Sequence, residues 1–138
     1  MCKLDEQDKR IEQILGRFDM DVSEDAAQKY MNYLKQNIDF PCKLTGMQDF
    51  PWEEYYVFGP GSKKKYEKLK KTQPSYEDVF NLVSFEDELD DNNGILVNVM
   101  RLSDKKTFIL PLADLEATEK NTKNYQLLDD YSVWHVNN

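Results

Sequence analysis

The chain has 138 residues, 40% of them hydrophobic and 32% charged, with a formal net charge of −8. That length is one domain's worth, 1–138, and a chain of this size buries roughly two thirds of its unfolded surface. The acidic balance excludes a general nucleic-acid binder, because phosphates would repel most of the surface.

No apolar h-region follows Met1, and no apolar run approaches the ~20 residues of a membrane span. Cys2 and Cys42 form no Cys-x-x-Cys pair, and His135 is the one histidine, too few for a conventional zinc site. The expectation is a reduced, cytoplasmic protein with no membrane or nucleic-acid partner.

Residues 5–18 place Ile11, Ile14, Leu15 and Phe18 at i, i+3, i+4 and i+7, one apolar stripe of an amphipathic helix. Asp19, Asp21 and Ser23 then break the pattern with N-cap chemistry. Glu24 and Asp25 fall where a helix dipole favours negative charge. Ala27, Tyr30, Met31, Leu34 and Ile38 form the buried face of a second helix, with Lys35 near its end. Residues 1–38 are thus helical, and residues 39–138 read as mainly β.

Phe40, Cys42 and Leu44 alternate and predict a first strand, with Cys42 as a small core residue. Residues 52–58, with Tyr55, Tyr56, Val57 and Phe58 close together, predict a second. A Gly59-Pro60-Gly61-Ser62 loop leads to the basic block of 63–71, a solvated loop or short helix. Three further strands are predicted over 79–85, 95–102 and 107–110. Ser103-Asp104-Lys105-Lys106 is a hairpin turn between the last two. Pro111 stops the last strand, and 112–115 suits a helical or 3₁₀ turn. The tail carries Tyr125, Leu127, Leu128, Tyr131 and Trp134, so it should dock on the core, with Trp134 as an anchor. The fold class is α+β: two N-terminal helices packed on a small, strongly curved antiparallel barrel of SH3-like or Sm-like type.

An enzyme is not expected. There is no Gly-x-Ser-x-Gly elbow, no phosphate-cradling glycine loop and no His-Glu-x-x-His, and His135 has no nucleophile partner in sequence. The carboxylates carry more. Residues 86–93 hold five of them, Glu86, Asp87, Glu88, Asp90 and Asp91, beside the amides Asn92 and Asn93. Hard cations such as Ca²⁺ take about six to eight oxygens from such groups, from backbone carbonyls and from water. The loop is not an EF-hand: with Gly94 at position six, Leu89 and Met100 would stand where oxygen donors are required. Asp19-x-Asp21-x-Ser23 fails likewise, because Glu24 replaces the glycine. Asp39, Glu53 and Glu54 are further oxygen donors for a metal shell.

Four motifs run in order. They are Tyr30-x-x-Tyr33-Leu34-x-x-Asn37-Ile38-x-Phe40-Pro41, then Asp91-x-x-Gly94-Ile95 with Val97, then Pro111-Leu112-x-x-Leu115-Glu116, then Asn124-Tyr125-Gln126-x-Leu128-x-Asp130-Tyr131-x-x-Trp134. In this order the chain resembles the bacterial calcium-binding proteins associated with calcium buffering in heterocyst-forming cyanobacteria. The resemblance implies an α+β fold and a cytosolic calcium buffer or sensor without an EF-hand. A second function class is a protein-interaction module with a protein partner, in which Trp52, Tyr55, Tyr56 and Phe58 line an SH3-like aromatic groove.

Overall fold

The structure, a computed structural model, describes residues 3–16 and 21–137. Cys2, Phe18 and Asp19 lie outside the described residues.

Helix α1 (Lys3–Leu15) buries Ile11 and Leu15. It stops at Gly16, whose φ of +92° is a left-handed conformation that favours glycine, and whose N–H donates to the Glu12 carbonyl at 2.7 Å. Helix α2 (Glu24–Asn37) begins as its sequence demands. The Ser23 hydroxyl accepts from the Ala26 N–H at 3.1 Å, and Glu24 and Asp25 occupy the first turn. Its buried face is Ala27, Tyr30, Met31 and Leu34, with Ile38 just beyond.

Five strands follow: β1 (Lys43–Gly46), β2 (Val79–Phe85), β3 (Leu96–Arg101), β4 (Thr107–Pro111) and β5 (Leu115–Ala117). They form one antiparallel sheet in the order β4-β3-β2-β1-β5. A 3₁₀ turn, Leu112–Asp114, links β4 to β5 where Pro111 ends the ladder. A register shift between Leu82 and Ser84 marks a bulge at Val83, which is left exposed.

Two expectations are corrected. Residues 52–58 are helical, as a 3₁₀ turn (Pro51–Glu53) running into helix α3 (Glu54–Val57). Pro51 presets the first helical φ, and the Glu53 carboxylate reaches back to accept from the Phe50 N–H at 3.1 Å. The sheet is also not closed or strongly curled into the SH3-like or Sm-like barrel. β4 and β5 are its two edges, and no ladder joins them. The segment that would have added a strand is helical, and β5 is only three residues long.

The basic block is a short helix, α4 (Lys63–Leu69), capped by the Ser62 hydroxyl. The docked tail is itself a helix, α5 (Lys123–Asn137), lying against β5, α1 and the Leu112–Asp114 turn. It buries Leu127, Leu128, Tyr131 and Trp134. Tyr30, Tyr131 and Trp134 form an aromatic triangle with centroids 5.2–5.9 Å apart. Leu44, Phe80, Val97 and Val99 complete the core from the sheet.

Candidate metal site

The acidic loop leaves β2 at Glu86 and closes on itself before β3. Asp90 and Gly94 pair as an isolated antiparallel bridge, each N–H donating to the other's carbonyl at 2.8 and 2.9 Å. Asp90 Oδ2 also accepts from the Asn92 and Asn93 N–H groups at 3.1 and 2.8 Å. This is the local turn chemistry for which aspartate is favoured. Gly94 has a φ of +70°. Asp87, Glu88 and Asp91 are exposed, and Glu86 and Asp90 are half-buried.

The loop does not stand alone. A cleft of about 170 Å³ is bounded by Asp90, Asp91 and Gly94 of the loop, by Ser23 and Glu24 at the start of α2, and by His135 near the end of α5. Glu24 and His135 therefore face the loop across one small space. In sequence Glu24 reads as a dipole-compatible helix start, and His135 as a lone histidine with no nucleophile partner. Nothing local to either announces the cleft, because only the packing of α2 and α5 creates it. His135 Nδ1 is buried at the back of this region with no hydrogen-bond partner. Burial raises the Asp114 carboxyl above its ordinary range, and the nearby His135 opposes that shift.

The donor chemistry suits a hard cation. Glu24, Asp90 and Asp91 are carboxylates, and Asp90 spends only Oδ2 on its turn, leaving Oδ1 for another contact. Among the described residues, however, no three His, Cys, Asp or Glu side chains already converge on one point. Glu86, Asp87 and Glu88 lie on the same loop outside the cleft lining.

The remaining predicted donors sit elsewhere. Asp39 is near Lys123 at 3.9 Å, and its backbone exchanges hydrogen bonds with the Asn124 side chain. Glu54 lines a shallow surface depression with Asp49, Tyr55 and Phe58. Glu53 is fully buried and accepts four hydrogen bonds, from Phe50 N–H, Tyr76 N–H, the Tyr66 hydroxyl and the Ser75 hydroxyl.

The aromatic residues of the alternative reading do not line a strand groove. Trp52, Tyr56 and Tyr66 pack on one another, Tyr56 and Tyr66 stacking at 5.6 Å, and Trp52 Nε1 donates to the Pro74 carbonyl at 2.6 Å. Tyr55 and Phe58 are exposed.

A family model described as calcium binding, of the CcbP type, matches residues 9–135. Among solved structures, the crystal structure of Anabaena CcbP is 17% identical, with a TM-score of 0.60, and the match covers 97% of this chain and 92% of that one. A calcium binding protein in the calcium-binding form is also 17% identical, with a TM-score of 0.58 and coverage of 99% and 96%. No curated protein matches. At such identity the structural likeness shows the fold alone. Among the described residues, no helix is long and apolar enough to cross a membrane.

Proposed function

The chain belongs to the CcbP family of calcium-binding proteins, and on that premise we propose that it is a non-catalytic Ca²⁺-binding protein whose ion is held by the 86–91 loop. Asp90 and Asp91 are the inner ligands, and Glu24 faces them across the cleft. Glu86, Asp87 and Glu88 supply further oxygens from the same loop. Asp39 and Glu54 stand on other parts of the surface, and Glu53 is committed to its four donors.

The observation that carries this reading is the cleft itself. It sets a third carboxylate, Glu24 from a different element, against Asp90 and Asp91 of the loop. Five like charges within six residues repel one another, and a divalent cation relieves that repulsion. Because the shell is not already converged, loop side chains, backbone carbonyls and water must complete it. That suits a low-to-moderate-affinity cytosolic buffer, or a sensor whose loop closes on the ion. An ion that binds only the folded state also stabilises it.

The test is a calorimetric Ca²⁺ titration of chelator-stripped protein in physiological salt with excess Mg²⁺. Saturable heat is expected. D90N/D91N should weaken binding about tenfold or more, equivalent to about 1.4 kcal/mol. Asn at position 90 still offers a side-chain carbonyl to the Asn92 and Asn93 N–H groups, so the turn survives and the loss reports on charge. Unchanged affinity in this variant overturns the site. No heat and no melting shift in the unaltered protein overturns calcium binding.

A further inference from the structure

Half of the chain's cations gather at one end of the fold. Six lysines fall between positions 63 and 71, and Arg101, Lys105 and Lys106 bring the total to nine of 18. Arg101 joins these segments. Its guanidinium donates to the carbonyls of Lys70, Lys71 and Gln73 at 2.9–3.0 Å, and to Asp104 of the hairpin at 2.8 and 3.0 Å. Lys106 Nζ donates to the Lys71 carbonyl at 2.9 Å, so the hairpin tip lies against the end of α4.

Four acids at this end pair with cations of the same end. Asp78 and Asp104 pair with Arg101, and Glu67 and Glu77 with Lys70. The outer lysines, Lys63, Lys64, Lys65, Lys68, Lys71 and Lys105, are exposed. Among the described residues none of these six has a carboxylate within ion-pair distance. Lys64, Lys65, Lys68 and Lys71 border a broad groove of about 930 Å³ that also contains Leu69 and one acid, Glu67, whose carboxylate is paired with Lys70. Glu53 is also here, buried against the Tyr66 hydroxyl of α4. Five acids against nine cations leave this end positive in a chain whose net charge is −8. The molecule is therefore polarised, with one positive end on a strongly negative body.

We propose that this basic end is a docking surface for the acidic 86–91 loop of a second copy of this chain. The loop turns back at the Asp90–Gly94 bridge, and it presents Asp87, Glu88 and Asp91 to solvent. Charge complementarity selects it: it is the densest run of carboxylates in the sequence, and the groove is rimmed by unpaired lysines. The contact is heterologous, basic end to acidic loop. Each copy keeps one free surface of each kind, so association extends past the dimer as concentration rises. The proposal does not depend on calcium binding.

Sedimentation velocity on the full chain, in chelator, tests it. Compare about 0.01 M salt, where charges act over about 30 Å, with about 1 M, where they act over about 3 Å. Concentration-dependent assemblies are expected at low salt and monomers at high salt. K64E/K65E/K68E and E86K/D87K/E88K should each be monomeric alone, and an equimolar mixture should associate, because each variant then meets its complement. The altered side chains are exposed except for the half-buried Glu86, and circular dichroism checks that both variants fold. Monomeric protein at every concentration in low salt overturns the proposal, as does association that survives either reversal or fails to return in the mixture. Co-sedimentation of monomeric protein with phosphatidylserine vesicles would assign the basic end to an anionic membrane surface and overturn the second copy as its occupant.

Discussion

The backbone N–H of Ile95 donates to the hydroxyl of Tyr131 at 2.9 Å, with both residues fully buried. This bond fastens α5 to the point where the acidic loop re-enters the sheet. Burial pushes the Tyr131 hydroxyl up to about 12, against the pull of the Ile95 N–H, so it stays neutral at working pH.

Tyr131→Phe keeps the ring and its contacts with Tyr30 and Trp134 but leaves the Ile95 N–H buried and unsatisfied. A destabilisation of about 1–3 kcal/mol is expected. It should appear as a lower urea midpoint at an unchanged slope. An unmoved midpoint would mean that another acceptor, or water, serves Ile95.

Gly94 stands one residue earlier, at a φ of +70°. A Cβ there would lie 2.7 Å from the Tyr131 hydroxyl oxygen and 2.9 Å from His135 Cε1. Gly94→Ala therefore combines left-handed strain with a clash against two ordered rings. The expected cost is about 1–3 kcal/mol. Asn93→Ala, one position away and exposed, is the control. Equal midpoints for the two variants would remove the close approach as the reason for glycine.

Glu53 is the hub of the segment between β1 and β2. Oε1 accepts from Phe50 N–H at 3.1 Å and Tyr76 N–H at 2.8 Å, and Oε2 from the Tyr66 hydroxyl at 2.6 Å and the Ser75 hydroxyl at 2.8 Å. Glu53→Gln turns one acceptor into a donor facing donors. About 2–4 kcal/mol should be lost, since a hydrogen bond to a charged group is worth more than a neutral one. Calcium affinity in folded E53Q should match the unaltered protein. A loss of affinity with no loss of stability would instead place Glu53 among the ion's ligands.

The parts of the fold that were legible are those with a clean local period. Tyr30, Met31 and Leu34 behind Ser23 specify α2, and Val97 and Val99 alternate along β3, both as the structure has them. Residues 52–58 carry five apolar or aromatic residues in seven with no period. The helix signal there was chemical: Pro51, with Glu53 and Glu54 two and three residues on. In α5, Leu127, Leu128, Tyr131 and Trp134 do fall on helical spacing, though their density signals docking more strongly than period. The open sheet and the cleft were not legible, because both depend on contacts between distant elements. The acidic loop could be read as an oxygen donor set, yet Glu24 joins Asp90 and Asp91 only through the packing of α2. Arg101 looked like an ordinary strand end, and nothing in its neighbours marks it as the tie between hairpin and α4.

That tie gives the last prediction, a dependence on acid. Hydrogen bonds from Arg101 first, and then from the Lys106 N–H, pull the Asp104 carboxyl down to about 2. In the unfolded chain it would titrate near its ordinary value, about 4. A carboxyl depressed by folding contributes stability that is fully present above the unfolded value and is lost as pH falls toward the folded one. Asp104→Asn removes that contribution, while its side-chain carbonyl can still accept from Lys106. The melting temperature of the unaltered protein should therefore exceed that of D104N by a constant margin at about pH 5–7, and the margin should close between about pH 4 and 2. Asp104 is solvent-accessible, so the margin is small and shrinks in high salt. A margin that persists unchanged to pH 2 would show that packing of the hairpin, rather than the carboxylate charge, holds Arg101 in place. A margin that closes as expected would identify protonation of Asp104 as a step that loosens the hairpin from α4.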